Sequence, residues 1–181
     1  MSNRRDDRSH ALRMRLRNQS GAVAVEFALV LPVLAMLLLG TITGGLAFND
    51  HLALTNAVRE GARFGATTVN NGAWNAAVVT RTQQVYLNGM STLSTSQVCA
   101  QLWQQTAAVS PVLKQGPATC NLGTTPPDVP DGVLAGECYV MVWAAKPANL
   151  DYVLGSADIT LGAGSVSYYE RTPCVPPVVT P

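Results

Sequence analysis

Three groups of residues in this chain have types and spacings that could do chemistry. The first is Gly21, Ala22, Glu26 and Phe27, a pair of small residues followed by one carboxylate at the head of a long apolar run. A peptidase that needs an unhindered backbone would cut between Gly21 and Ala22. The new amine of Ala22 would then lie one helical turn from Glu26, on the same face. Such an amine, from the same chain or from a neighbour, offsets a carboxylate that otherwise costs about 2–3 kcal/mol near a bilayer edge. The second group is four cysteines, Cys99, Cys120, Cys138 and Cys174, all downstream of the apolar run. An even count confined to one side points to two disulfides. The third group is His51 alone, with no evident partner for acid–base work. No Cys-x-x-Cys spacing occurs and the histidines are remote from the cysteines, so no metal and no cofactor is expected. Without a Gly-x-Ser-x-Gly or a phosphate-binding Gly-Lys-Ser/Thr run, the residues do not describe an enzyme.

The elements that must position these groups follow from charge and hydropathy. From Phe27 to Asn49 there are 23 residues without Asp, Glu, Lys, Arg or His. As a helix this stretch is about 35 Å long, enough to cross a hydrocarbon core of about 30 Å with some tilt. The net charge of +1 conceals two unlike parts. Residues 1–21 carry six Arg against Asp6 and Asp7, whereas the remainder has six basic and nine acidic residues. A basic arm placed directly before an apolar helix holds the N-terminus in the cytoplasm and sends the rest across. Nucleic acid is not expected as a partner, because the arm has no folded cytosolic domain beside it.

The reading is therefore α+β. A polar leader, residues 1–21, is expected to be irregular, and a transmembrane helix occupies residues 22–49. An exported helical segment covers 50–89, and a small β-rich domain with a Pro-rich tail covers 90–181. Leu54, Val58 and Ala62 recur at helical spacing beyond the span, so one helix should continue from about Val23 to Thr67. A second should run from Ala73 to about Leu87 with a stop at Asn88-Gly89. Residues 97–103 suit either a strand or a short helix. Residues 111–136 read as a long loop, and 137–144 as a strand alternating Tyr139, Met141, Trp143 against Val140, Val142, Ala144. A last strand, 156–169, is expected to break at Gly162–Gly164. A hairpin of those strands would bring Cys138 near Cys174 and leave Cys99 for Cys120, one of three pairings that four cysteines allow. Pro32, and the small-residue pairs Gly40/Gly44 and Gly61/Gly65, are candidates for shaping or packing the long helix. Arg59 and Arg63 sit on another face of it as a candidate docking surface.

At these residues the chain resembles the TadE/TadG-like pseudopilins, or minor pilins, of tight-adherence (Flp) pilus systems. The run from Gly21 through Glu26-Phe27 to Pro32 is similar to that family's N-terminal signature. Arg59-Glu60-Gly61-Ala62-Arg63 resembles its second one. The resemblance covers about residues 20–65, roughly a quarter of the chain. It implies processing by a prepilin peptidase, residence in the membrane bilayer, and partners among other pilin or pseudopilin subunits and the pilus assembly machinery. One departure is the uncharged Thr41-Ile42-Thr43-Gly44-Gly45, where such proteins often carry a charge. A secreted binding domain released by signal peptidase after Ala47, and an uncleaved anchored protein, are the alternatives.

Overall fold

In the computed structural model, residues 6–86, 92–107, 110–152, 155–171 and 174 are described. Helix α1, Asp6–Thr67, is 62 residues long and passes through Pro32 without ending. It starts earlier than expected: the leader is helical from Asp6, not irregular. Ala11, Leu12, Met14 and Leu16 alternate with Arg13, Arg15 and Arg17 there, all strong helix formers, and nothing in that run breaks a helix. The chain divides into two compact units, one of residues 1–44 with 151–156, the other of 45–150 with 157–181.

In the second unit, α1 turns Leu54, Ala57, Val58, Ala62 and Ala66 inward, all buried. Helix α2, Trp74–Tyr86, lies against it with Trp74, Val78, Val79, Thr82 and Tyr86 buried. Asn71 starts α2 by accepting the Ala73 amide at 3.0 Å, a cap its short polar side chain suits. The proposed stop at Asn88-Gly89 lies outside the described residues. Two glycines set how closely these helices pack. A Cβ on Gly61 would collide with the Thr82 side chain, and one on Gly65 would come within 3.1 Å of Val140, Trp74 and Val78.

The strands are β1 Val98–Gln104, β2 Val112–Gln115, β3 Cys138–Tyr152 and β4 Gly155–Tyr168. They form one antiparallel sheet in the order β2-β1-β3-β4. The ambiguous segment at 97–103 is thus mostly β1, entered through a short 3-10 turn at Thr95–Gln97. Register runs from Val98 opposite Ala144 to Gln104 opposite Cys138. The alternation read for 137–144 holds. Val140, Val142 and Ala144 face the helices, while Tyr139, Met141 and Trp143 enter a second cluster on the opposite face. Cys99, Trp103, Cys120, Leu122 and Val133 complete that second cluster. The expected loop at 111–136 is therefore a layer that covers the sheet, and its first residues pair with β1 as strand β2.

Two strand boundaries differ from expectation. β3 continues past Ala144 through Lys146-Pro147 to Tyr152. β4 does not break at Gly162–Gly164. Those glycines allow close approach: a Cβ on Gly162 would lie 2.7 Å from Thr124 Cγ2, and one on Gly164 3.2 Å from Pro127. A strand that must sit beneath another segment of chain uses glycine for clearance and can stay regular.

The end of α1 is finished by the far end of the chain. Helix C-termini leave carbonyls without intrahelical donors. Here the Glu170 amide donates to Ala66 O at 3.0 Å, Arg171 Nε to Thr67 O at 2.5 Å, and Tyr169 Oη to Thr68 O at 3.0 Å. Asn70 Nδ2 donates to Cys174 O at 2.7 Å. Disulfides join Cys138 to Cys174 and Cys99 to Cys120, with Cα separations of 6.2 and 6.1 Å. The first ties this capping segment to β3, and the second staples the loop layer to β1.

Candidate functional site

Gly21, Ala22, Glu26 and Phe27 occupy consecutive turns of α1, and all four are exposed. A Cβ on Gly21 would meet nothing within 4 Å. Among the described residues no cation pairs with Glu26. Glu26 is also the single charged residue between Arg17 and Asp50. The helix around it, from Val23 to Phe48, exposes Val25, Leu29, Val33, Leu37, Leu38 and other large apolar side chains on every face. A helix apolar all round needs a solvent of lipid or neighbouring helices. Its backbone is satisfied internally, and Thr41 and Thr43 donate their hydroxyls back to Leu38 O and Leu39 O at 2.8 and 2.9 Å. Such back-bonding lets a hydroxyl sit in hydrocarbon without an orphaned donor.

The small-residue pairs differ from one another. Gly40 and Gly44 face open space, whereas Gly61 and Gly65 are consumed by the contact with α2 and β3. Gly61 is thus a packing residue inside this chain's own fold. The Arg59–Arg63 signature is split in the same way. Glu60 pairs with Arg81 of α2 at 2.7 Å, and Ala62 is fully buried. Arg59 and Arg63 point outward and are exposed. His51 is half-buried, and its carbonyl accepts the Thr55 hydroxyl at 2.9 Å. Among the described residues no cluster of three or more His, Cys, Asp or Glu could hold a metal.

One cluster was not found from sequence. Lys146 Nζ of β3 donates to Asp50 Oδ2 of α1 at 2.9 Å and to Tyr86 Oη of α2 at 2.9 Å. It also lies 5.4 Å from the Tyr86 ring centroid. The hint available was that Asp50 is the first charge after the apolar run and Lys146 the sole cation between Lys114 and Arg171. Only the fold brings them together. Burial pulls the Lys146 pKa down, but the hydrogen bonds that its ammonium donates to Tyr86 and then Asp50 outweigh it, and the pKa is raised. A raised lysine contributes stability that is complete below its unfolded pKa of about 10.4 and is lost as pH climbs through the folded value. Lys146→Met should therefore lower urea-denaturation stability by about 1–3 kcal/mol at pH 7, since it leaves Asp50 unpaired. The gap between wild type and variant should begin to narrow above about pH 10.4 and go on narrowing as pH passes through the raised folded value. An equal gap at pH 7 and pH 11 would show that packing, not charge, holds this junction.

Fold and site together define a class: a chain with one N-terminal apolar helix, fit for single-pass membrane anchorage, that continues into a disulfide-bonded α+β domain. Within that class, residues 21–63 match the family model described as TadE-like protein. The match starts at Gly21 and ends at Arg63, so it takes in both signatures and leaves the sheet unmatched. No curated protein and no solved structure matches the chain.

Proposed function

We propose that this protein is a membrane-anchored pseudopilin, or minor pilin, that takes part in assembling a tight-adherence pilus. A prepilin peptidase removes the basic leader between Gly21 and Ala22. The N-terminus lies in the cytoplasm and residues 51–181 outside the inner membrane, the orientation that an excess of arginine before the span favours. The observation that carries the reading is Glu26: a lone carboxylate one turn past Ala22, with no ion-pair partner among the described residues, on a stretch of helix from Val23 to Phe48 that is otherwise uncharged and exposes large apolar side chains on all sides. A membrane protein keeps such a charge at a cost, and a newly freed amine at Ala22 is the nearest group able to neutralise it. Other subunits carrying the same amine are the alternative source. The role needs no cofactor and no catalytic residue of its own.

N-terminal sequencing of the protein purified from cells that contain a prepilin peptidase tests the reading. The mature chain should begin at Ala22, and Gly21→Ala should retain the leader. A mature start at Phe48 would establish a domain released by signal peptidase, and an intact Met1 a simple anchor.

A further inference from the structure

The second unit carries opposite charges on its two outer faces. On the helix side, Arg59 and Arg63 stand about 6 Å apart along α1, one turn from each other. The carboxylate between them in sequence, Glu60, is already committed to Arg81. Among the described residues no acid pairs with either arginine. On the other side of the sheet, the loop layer presents Asp128, Asp131 and Glu137, all exposed. No Lys or Arg occurs between Lys114 and Lys146, and among the described residues no cation pairs with these three acids. Both faces also carry exposed apolar side chains: Leu52 below the arginines, Val129 and Leu134 among the acids. A groove of about 540 Å³ opens beside Asp128, between Thr124–Pro127 and Gly162–Gly164 of β4.

We propose that the domain binds a second copy of itself head to tail, with the outer face of α1 in one copy seated on the acidic loop layer of the next. Lipid headgroups do not suit the arginines. Arg59 is ten residues past Asn49, about 15 Å along the helix, whereas the headgroup layer extends only about 5–7 Å beyond the hydrocarbon. A two-fold pairing through α1 would set arginine against arginine. The head-to-tail arrangement sets cation against carboxylate at each junction and can repeat from copy to copy. Single exposed ion pairs contribute little, so the apolar residues and the groove supply area while the charges set partner and register. The inference rests on the assembly reading only in taking a subunit as the partner.

Capture between two differently tagged copies of the full chain, purified in detergent micelles, tests it without peptidase or other pilus subunits. Wild type should capture wild type at low salt and lose most of that capture at about 0.5 M salt, where screening shortens to a few ångströms. Arg59→Glu/Arg63→Glu and Asp128→Lys/Asp131→Lys should each lower self-capture by about tenfold or more. Mixing the two variants should restore it, because each junction then again joins opposite charges. The proposal is overturned if wild type shows no self-capture, if either variant self-captures like wild type, or if the mixture stays apart. The last result would mean that these faces serve a different protein. Because pili are not the readout, failure here leaves the processing and assembly reading standing, and a pilus defect elsewhere leaves this result standing.

Discussion

Glu26→Gln should abolish pili while leaving the protein inserted and cleaved. The amide keeps nearly the size and polarity of the carboxylate, so the substitution removes charge alone. Without that charge the Ala22 amine of a neighbouring subunit would enter the membrane edge unpaired. Intramembrane ionisable groups cost about 2.5–3.5 kcal/mol even by the milder scales, which corresponds to roughly a hundredfold weaker docking. Glu26→Asp should fall between, since the charge persists on a shorter arm. Electron microscopy of the cells and co-purification of the other pilus subunits are the measurements. Normal pili in Glu26→Gln cells would reduce Glu26 to an ordinary interfacial carboxylate. Loss of cleavage as well would make it a determinant for the peptidase.

The largest effect on stability is expected at Gly61. Its added Cβ would strike the Thr82 side chain, which α2 holds in place through a 2.9 Å bond to Val78 O. Overpacking of a tight core costs about 1–3 kcal/mol and sometimes more, against a helix-propensity gain for Ala of at most about 1 kcal/mol. Gly61→Leu should therefore lower stability by about 3 kcal/mol or more, at the upper end of that range. Gly61→Ala should cost less and be largely rescued by Thr82→Ala, a coupling that a double-mutant cycle reads directly. Gly40→Leu and Gly44→Leu, which meet open space, should leave the unfolding midpoint of the domain unchanged. If Gly61→Leu unfolds at the wild-type midpoint, the contact between Gly61 and Thr82 does not limit how closely α1 and α2 pack.

These glycines show where sequence reasoning stopped. Gly40-x-x-x-Gly44 and Gly61-x-x-x-Gly65 are indistinguishable as patterns, yet one is open and the other lies under Trp74, Val78 and Val140. Spacing reports that small residues share a helix face. It does not report what, if anything, lies against that face. The same limit applied to Gly162–Gly164, which suggested a break in the strand. Glycine marks permissiveness, and only the position of Thr124 and Pro127 makes the reason clearance and not a turn.

The features that the chain determined by itself are those encoded in local order. The apolar run, its flanking arginines, the helical recurrence past Asn49, the alternation at Tyr139–Ala144 and the TadE-like signatures are each contained in a few dozen consecutive residues. Local pattern is sufficient there because solvent preference and backbone period act over that range. Tertiary structure decided the polar contacts between residues distant in the chain, whereas the two disulfide pairings follow the hairpin expected from the strands. Lys146 meets Asp50 across 96 positions, and Arg171 caps Thr67 across 104. Neither pairing has a local signature, since any lysine and any aspartate look alike until a sheet and two helices set their separation. The helical leader departs from its charge pattern for the opposite reason: its arginines carry charge, but they are also good helix formers on the end of a helix already nucleated.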